Sequence, residues 1–481
     1  MENRGSSCRI GYSVVLGLLI VLLAVPVLRA QEHPIPSYEV ELAIDSGMLI
    51  NNDTESQVVW STVVEVPEAI WLRLKFGNVV LANDPEILES SVIRITSLYD
   101  SAVQHLNSLT LGQWQNTSAY FNGDVLLVEL IALPGVLENR VVISGATAGL
   151  PSGPIESICG PTDDRVLSYS LRDARAMPIG CSAWIIDDSH HQFITAGHCA
   201  SGSQVMEFNV PLSQSNGNIV HPGPEDQYSA DSASRQYENG GMGDDWGYFG
   251  CFPNTETGLT AFQAGGEYYT LSDTAPPVED QTIRITGYGT TSNPVPREWN
   301  QVQKIHEGPY YGLSGTRVRY TVDTTGGNSG SPVFNEDTGE AIGVHTHGGC
   351  DYSGGYNTGT AIHNSAFTNA LLNPIGICAP IGLTVTNLAG GQIARVTVHG
   401  ATPGERVFFG FSLTGVGEVP VNYLGVIIGI ADPVFAGSAI ADNSGEAFVE
   451  HWINPNQTGR QLWIQAAQKG LTSIVLEEVI Q

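Results

Sequence analysis

Short runs of apolar and β-branched residues, broken by turn residues, recur along almost the whole chain. Examples are "VVWSTVVEVPEAIWLRLKF" and "DVLLVELIAL" in the first third, and "LTVTNL" and "RVFFGFSL" in the last quarter. Alternating runs of this length, separated by Gly, Pro, Asn and Asp, are typical of antiparallel strands. The 55 glycines and the low share of charged residues, 14%, favour the same architecture. The sequence therefore predicts an all-β chain with many turns.

The chain is strongly acidic. Its 481 residues include 20 Lys and Arg against 49 Asp and Glu, which gives a formal net charge of −29. Such a surface offers no basic stripe to release counterions from phosphates, so we expect no nucleic-acid partner.

The first 30 residues have the order of a secretory leader. Arg4 and Arg9 precede the apolar run "VVLGLLIVLLAVPVL", and the small residue Ala30 closes the segment. Pro26 interrupts the run, so we expect cleavage after Ala30 rather than a retained anchor helix. The sequence predicts a secreted or extracytoplasmic protein with no stable membrane span after this cleavage.

Changes in composition divide the rest of the chain into three parts. Residues 31–156 are rich in strand-like runs and end in the small-residue linker "GATAGLPSGPIES". Residues 157–379 hold all six cysteines that follow the leader, and residues 380–481 resume alternating strands without cysteine. We expect a β-sandwich-like domain at each end, the first a pro-domain or folding aid or an accessory domain. For the last, a cell surface or a polymer is the candidate ligand.

The middle part contains a histidine motif and an aspartate motif. "GCSAWIIDDSHHQFITAGHC" places His198 at the end of a strand beside Cys199, and a hairpin would bring Cys181 to Cys199. A disulfide there would fix the loop that holds His198. In "GGMGDDWGYFGCF", Asp245 opens an aromatic strand, and a carboxylate at this position can accept a hydrogen bond from an imidazole Nδ1–H.

A serine between two glycines forms the third motif, "DTTGGNSGSPVF". Glycine allows a tight turn, so the backbone N–H groups of Gly327 and Ser329 can converge on one point as an oxyanion hole. The chain order is His198, Asp245, Ser329. This is the order of the chymotrypsin type and differs from that of subtilisin and of the α/β-hydrolases.

"TAGHC" and "GNSGSP" resemble the chymotrypsin-like serine endopeptidases. "GGNSGSPV" followed by "IGVH" and a double glycine is similar to the bacterial glutamyl endopeptidase branch, and so is "SICGPTDDRV". The resemblance covers residues ~157–379 and implies a double β-barrel acting on peptides or proteins, with no metal and no organic cofactor. It implies that Ser329 attacks the peptide carbonyl, that His198 transfers the proton, and that Asp245 orients His198.

Two interpretations of the specificity pocket are open at this point. Asp323 stands six residues before Ser329, where trypsin-type enzymes place the aspartate that selects Arg or Lys. The glutamyl interpretation uses Thr324 and His345, whose hydroxyl and imidazole would bind a substrate carboxylate, with charge assistance if the ring is protonated. We favour Glu or Asp before the scissile bond, with small or apolar residues and basic residues as the alternatives. His347 departs from the pattern of the branch, and a zinc site on His345 and His347 is the weaker reading of this pair.

Glu156 directly precedes "SICGPTDDRV". Maturation in the glutamyl branch frees the equivalent of Ser157, so cleavage of the Glu156–Ser157 bond would suit an enzyme that prefers Glu. A linker glutamate without a processing role is the alternative. A different class of function is also open, namely an inactive protease-like protein that binds a surface through its two sandwiches.

The even number of cysteines in an exported chain suggests up to three disulfides. Once Cys181 is paired with Cys199, the other four cysteines allow three connectivities. We weakly prefer Cys350–Cys378 with Cys159–Cys251.

Overall fold

The computed structural model describes residues 29–30, 33–84, 89–151, 158–188, 190–277, 280–351, 353–378, 381–402, 404–421, 424, 426–442 and 445–481. The body of the predicted leader, residues 1–28, lies outside the described residues, and so do Glu156 and Ser157. The predicted boundaries at 156/157 and 379/380 fall on such residues and stay predictions. Within the described ranges, none of the helices has both the length and the apolar character needed to cross a membrane.

Two four-stranded antiparallel sheets form the amino-terminal domain. In spatial order, one sheet contains Phe121–Asn122, Trp71–Phe76, Val142–Gly149 and Ser37–Asp45, and the other contains Gln57–Glu65, Val125–Ala132, Val92–Ser97 and Val103–Leu106. Two short strand pairs and one helix complete it, namely Leu49–Asn51 with Gly135–Asn139, Asn83–Asp84 with Glu89–Ser90, and Ser108–Gln113.

Alternation in these strands builds a shared core. Every second residue of Val125–Ala132 is buried, including Leu126, Val128 and Leu130, while the residues between them are only partly covered. Trp71 from the other sheet is fully buried in the same cluster. The two sheets therefore pack face to face as the sandwich that the alternating sequence predicts.

The first half of the middle domain is an open seven-stranded antiparallel sheet. Its spatial order is Gln227–Ser229, Val205–Glu207, Asp173–Met177, Cys181–Ile185, Phe193–Thr195, Asp245–Phe249 and Gln236–Asn239. Its core is aromatic, with Trp184, Phe193, Tyr228 and Phe249 almost completely buried.

The second half is a closed six-stranded barrel. Its strands run in the order Glu340–Gly348, Pro332–Asn335, Thr282–Gly287, Lys304–Ser314, Arg317–Tyr320 and Asn357–Ala361, and the first pairs with the last. Val166–Leu167 pairs with Lys304–Ser314, and Arg29–Ala30 pairs with Glu340–Gly348. The predicted all-β, chymotrypsin-like pair of barrels is confirmed, with one barrel closed and its partner open.

The remaining described elements are strands of the carboxyl-terminal domain and short helices. The strands form one sheet of Gly382–Thr386, Ile393–His399 and Ala447–Trp452; a second of Val434–Ile440, Arg406–Ser412, Gln461–Gln468, Leu471–Thr472 and Leu476–Val479; and a pair of Val416–Val421 with Val426–Ile430. Cys350–Asp351 also pairs with Gly354–Gly355. The helices are Gly197–Ala200, Ala261–Gly265 and Ser365–Leu372, with 3-10 turns at Pro224–Asp226, Ser232–Ser234, Arg297–Trp299, Gly376–Cys378 and Pro455–Gln457.

The amino-terminal sandwich shares its core with the open sheet of the middle domain. Met177, Val205 and Ile219 from the middle domain belong to the hydrophobic cluster of the sandwich. Gln227 accepts a hydrogen bond from the backbone N–H of Tyr120 at 2.9 Å and donates one to its carbonyl at 2.8 Å. Apolar packing and paired polar groups together make this a fixed interface rather than a flexible tether.

One of the cysteine predictions is confirmed and the other is wrong. Cys181 and Cys199 form a disulfide, but Cys159 pairs with Cys350, and Cys251 and Cys378 are buried free thiols. The preferred pairs Cys350–Cys378 and Cys159–Cys251 fail because residues 158–164 run along the closed barrel. There, the backbone N–H of Gly160 donates to the carbonyl of Asp351 at 3.0 Å, which brings Cys159 beside Cys350.

Candidate active site

The side chains of His198 and Asp245 are in contact, and they come from two neighbouring elements, a short helix and a strand of the open sheet. His198 lies in the short helix Gly197–Ala200, and Asp245 opens the strand Asp245–Phe249. Asp245 Oδ1 accepts from the backbone N–H of His198 at 2.9 Å, and its Oδ2 lies 2.6 Å from His198 Nδ1. These two contacts fix the imidazole in the tautomer with a proton on Nδ1, which leaves Nε2 as the basic nitrogen.

Asp245 is itself held from the closed barrel. Its carboxylate is completely buried, and its backbone N–H donates to Thr360 Oγ1 at 3.0 Å. Thr360 Oγ1 in turn donates to the carbonyl of Asp245 at 2.7 Å. Thr360 thus connects the strand Asn357–Ala361 of one barrel to Asp245 of the other.

Ser329 lies on a tight loop of the closed barrel that faces the open sheet. The backbone N–H of Ser182 donates to its carbonyl at 2.8 Å, and its Oγ donates to the carbonyl of Thr346 at 3.2 Å. Gly330, which follows, has a φ of +91°, and a Cβ there would overlap the carbonyl oxygen of Ser182. Glycine is therefore required at position 330 by the contact between the two barrels.

Gly327 turns the same loop. Its φ of +102° favours glycine, and a Cβ would lie 2.5 Å from the carbonyl oxygen of Tyr288. The loop is closed by hydrogen bonds from Asn328 N–H to the carbonyl of Thr325 at 3.0 Å and from Ser331 N–H to the carbonyl of Asn328 at 2.9 Å. These two hydrogen bonds make residues 325–331 a compact turn that contains both Gly327 and Ser329.

Arg165 binds the loop that holds Ser329, although no arginine lies near this loop in sequence. Its guanidinium is buried with the carboxylate of Asp163 and donates to Thr325 Oγ1 at 2.8 Å. It also donates to the carbonyl of Thr290 at 2.8 Å and to Asn328 Oδ1 at 3.3 Å. Arg165 therefore places a buried cation against the loop that holds Ser329.

His345 is the most perturbed side chain of the predicted pocket. It is completely buried, and burial, with a smaller effect of His347 and His198, lowers the pKa of His345 to about 3. Its Nδ1 lies 2.5 Å from the hydroxyl of Tyr320, whose own pKa burial raises well above its usual value. A hydroxyl that keeps its proton donates to Nδ1, so the neutral ring carries its proton on Nε2.

Without a ligand, the buried ring of His345 is neutral at neutral pH, because burial lowers its pKa to about 3. Charge assistance from a protonated His345 stays a prediction for the complex with a substrate carboxylate. A neutral Nε2–H remains a donor for a carboxylate.

Thr324 is also buried, next to the same strand. Its Oγ1 accepts from the Asn357 side chain at 2.9 Å, and Asn357 also donates to the carbonyl of Val322 at 2.6 Å. An oxygen that already accepts a hydrogen bond from an amide has its own proton available for another acceptor.

Both carboxylate oxygens of Asp323 already accept hydrogen bonds from the backbone. Its Oδ1 accepts from the backbone N–H of Cys159 at 2.7 Å, and its Oδ2 accepts from that of Asp164 at 3.3 Å. Burial first, and then the neighbouring Asp164, raise the pKa of Asp323 to about 6. Its carboxylate therefore anchors the start of the middle domain.

His347 lies beside His198 and Asp245. Its Nδ1 is 3.9 Å from Asp245 Oδ2, and its ring centroid is 6.2 Å from that of His198. Desolvation lowers the pKa of His347, against the attraction of Asp245. The described residues offer two groups of three potential metal ligands, and neither includes His345 or His347.

Comparison with known proteins agrees with this geometry. Residues 181–344 match the trypsin-like peptidase domain family. This segment holds the histidine, the aspartate and the serine described above. Residues 181–344 form a trypsin-like peptidase domain.

Curated relatives of the trypsin-like peptidase domain include glutamyl endopeptidases of Staphylococcus aureus. The chain is 43% identical over 79 residues to those of strains MW2 and N315, which is 16% of this chain. It thus spans 22% and 21% of the length of these two relatives.

Solved structures with a similar arrangement include a Glu endopeptidase in complex with MPD and the protease Anisep from Arthrobacter nicotinovorans. The first is 18% identical, with a TM-score of 0.34, over 45% of this chain and 98% of that one. The second is 17% identical, with a TM-score of 0.33, over 44% of this chain and 99% of that one.

Several residues that contact the candidate site carry no local signal in the sequence. Thr360 contacts an aspartate 115 positions away, Tyr320 contacts a histidine 25 positions away, and Arg165 reaches a threonine 160 positions away. Only the closed barrel brings these partners together. The motif "SICGPTDDRV" did single out the segment that holds Arg165, but it gave no role for the arginine.

Proposed function

We propose that the protein is a serine endopeptidase that works through an acyl-enzyme. Ser329 attacks the peptide carbonyl while His198 Nε2 takes its proton, and the proton then passes to the leaving amine. Asp245 holds the imidazole and stabilises its charged form. The amides of Gly327 and Ser329 stabilise the oxyanion of the tetrahedral intermediate.

The double contact of Asp245 with His198 carries this proposal. A carboxylate that only formed a structural ion pair would not need to bind both the backbone N–H and Nδ1 of one histidine. The second ring nitrogen of His198 is buried and has no hydrogen-bond partner among the described residues. A fixed ring with an unpaired basic nitrogen is what general-base catalysis requires.

We further propose that the enzyme prefers Glu, or else Asp, before the scissile bond. Nε2–H of His345, with Nδ1 held by Tyr320, and the hydroxyl of Thr324 are neutral donors suited to a carboxylate. The alternative preference for Arg or Lys depends on Asp323, whose two oxygens already bind backbone N–H groups. A hydrogen bond to a charged group is worth about 1.5–3 kcal/mol, which is enough to select one residue type.

A peptide-library digest with the mature protein tests both proposals. We expect cleavage mainly after Glu and none with Ser329→Ala as the matched control. Cleavage after Arg or Lys would contradict the pocket assignment but not the peptidase. A fully matured wild type without activity would favour the inactive, surface-binding alternative.

We propose that the protein is exported and processed at two places, after Ala30 and after Glu156. The disulfides Cys181–Cys199 and Cys159–Cys350 suit an oxidising compartment. Amino-terminal sequencing of protein recovered from the culture medium tests this, with Gln31 and Ser157 as the expected first residues. A start well inside 31–150, or after residue 170, would contradict processing at Glu156.

A further inference from the structure

The outer face of the closed barrel carries two arginines near the candidate site. In the strand Arg317–Tyr320, Val318 and Tyr320 point into the barrel and are fully buried. Successive side chains of a strand point to opposite faces, so Arg317 and Arg319 lie on the outer face, where both are partly exposed.

The position of Arg317 is fixed by its neighbours at the candidate site. It lies opposite Thr360 in the strand pairing, and residues opposite each other in antiparallel strands share a face. Thr360 Oγ1 is the atom that accepts from the backbone N–H of Asp245 at 3.0 Å. A Cβ on Gly243, in the loop before Asp245, would lie 3.2 Å from Arg317 Cβ. The stem of Arg317 is therefore packed against the loop that leads to Asp245.

Arg319 lies in the same row as His347. It is opposite Thr358, and Thr358 is opposite His347 on the next strand. Two strand spacings separate Arg319 from His347, which is about 10 Å between backbones. The ring of His347 is 6.2 Å from that of His198, and the charge of Arg317 acts with burial to lower the pKa of His347. Both arginines are thus within reach of a peptide bound beside His198.

Two tyrosines hold the guanidinium groups in place. The rings of Tyr311 and Tyr356 stack with centroids 4.9 Å apart. Arg319 Cζ lies 5.2 Å from the ring of Tyr311 and 5.4 Å from that of Tyr356, and Arg317 Cζ lies 5.5 Å from Tyr356. A guanidinium stacked on a ring keeps the N–H donors in its plane for an acceptor. We call these four residues the Arg–Tyr face.

The two guanidinium groups have no anionic partner within the described part of the chain. None of the described carboxylates forms an ion pair with Arg317 or Arg319, and the buried Nε of each lacks a hydrogen-bond partner there. Arg284, on the same barrel, also stacks on a ring, that of Phe334 at 4.4 Å, but it pairs with Glu336 at 2.6 Å. The charge of Arg284 is therefore neutralised within the fold, whereas those of the Arg–Tyr face are left for a ligand.

We propose that the Arg–Tyr face binds a second acidic residue of the peptide substrate, apart from the residue before the scissile bond. The planar fork of an arginine matches the two oxygens of a carboxylate, and two such forks lie side by side here. An extended peptide advances about 3.3 Å per residue, so about 10 Å corresponds to about three residues. The acidic residue therefore lies within about four positions of the scissile bond. This inference rests on the proposed endopeptidase, but it does not depend on a preference for Glu in the primary pocket.

The test is kcat/KM of the mature protein on a set of peptides that share one residue before the scissile bond. In each peptide, one Gln among the neighbouring four positions on either side is replaced by Glu. We expect about tenfold higher kcat/KM with Glu than with Gln at one position or at two adjacent ones, because a carboxylate gains charged hydrogen bonds. The ratio should fall as salt is raised from about 0.05 M to about 0.5 M, since salt screens exposed charges. Equal rates with Glu and Gln at every position would overturn the proposal, and a lack of cleavage of every peptide would count against the proposed endopeptidase instead.

Substitutions assign the preference to the Arg–Tyr face. Arg317→Gln and Arg319→Gln should each lower the ratio of Glu to Gln several-fold, and leave kcat/KM on the Gln peptide within about twofold. Arg319→Lys, which keeps the charge without the fork, should retain part of the ratio. Arg284→Gln is the matched control and should retain all of it. A ratio that Arg317→Gln and Arg319→Gln leave intact, or an equal loss on the Glu and Gln peptides, would overturn the proposal. The salt dependence of wild type requires no substitution and checks the same contact if a variant does not fold.

Discussion

At the scale of single residues, the roles of His345 and Tyr320 in specificity can be tested by comparing substrates with and without a carboxylate. We expect His345→Gln to lower kcat/KM on Glu substrates by about 10- to 100-fold, because one hydrogen bond to the substrate carboxylate is lost. Tyr320→Phe should lower it less, because the imidazole remains but is no longer fixed. The measurement is kcat/KM on peptides that differ only in Glu or Ala before the scissile bond. An equal loss on both peptides would mean that His345 is structural.

The buried state of His345 also predicts a pH dependence of stability. Its folded pKa of about 3 lies below the unfolded value of 6.5, so the unfolded chain binds this proton more readily. Stability contributed by the neutral ring is complete above pH ~6.5 and is lost as the pH falls toward 3, by about 1.4 kcal/mol per pH unit.

Calorimetry of wild type and His345→Gln from pH 7 to pH 4 measures this effect. The melting temperature of the peptidase domain should fall more steeply in wild type than in the variant. The difference between the two proteins removes the contribution of other groups such as Asp173, whose pKa burial raises to about 7 and whose effect on stability has the opposite sign. Parallel pH profiles would contradict the assignment of a neutral buried ring.

At the scale of secondary-structure elements, the strand Asn357–Ala361 offers a matched pair of threonines. Thr360 bonds to the backbone of Asp245 twice, whereas the buried hydroxyl of Thr358 has no hydrogen-bond partner among the described residues. We expect Thr360→Val to lower kcat by about tenfold with little change in KM, because Asp245 loses its anchor and no substrate contact is touched. Thr358→Val should leave kcat unchanged. Equal kinetics of the two variants would show that the anchor does not act on the catalytic pair.

The same strand shows which parts of the site a sequence can predict. His198, Asp245 and Ser329 stand in short motifs with glycines or an adjacent cysteine, so local chemistry is enough to single them out as candidates. Thr360 and Arg165 are ordinary residues in their own segments, and they gain a role only when strands distant in sequence become neighbours. The wrong cysteine pairs have the same cause, because the path of residues 158–164 along the closed barrel is a tertiary property. The alternation of buried and exposed positions predicted the sandwich of residues 33–151, since that pattern is local.

At the scale of the whole molecule, the contacts between the amino-terminal sandwich and the middle domain predict that the two stay associated after cleavage of the linker. Its core continues into the open sheet through Met177, Val205 and Ile219. At the same interface Tyr120 stacks on His221, whose Nδ1 lies 2.6 Å from the buried carboxylate of Glu207. Cleavage of the linker after Glu156 therefore breaks the chain without removing any of these contacts.

We accordingly expect the two fragments of the cleaved protein to elute together in size-exclusion chromatography. Gln227→Leu should separate them or weaken the complex, because the backbone N–H and carbonyl of Tyr120 would both be left buried without a partner, at about 1–3 kcal/mol for each. Arg140→Ala is the matched control, since it removes a solvent-exposed ion pair with Asp45 that lies within the sandwich. Separate elution of the wild-type fragments at micromolar concentration would show that the sandwich leaves after maturation.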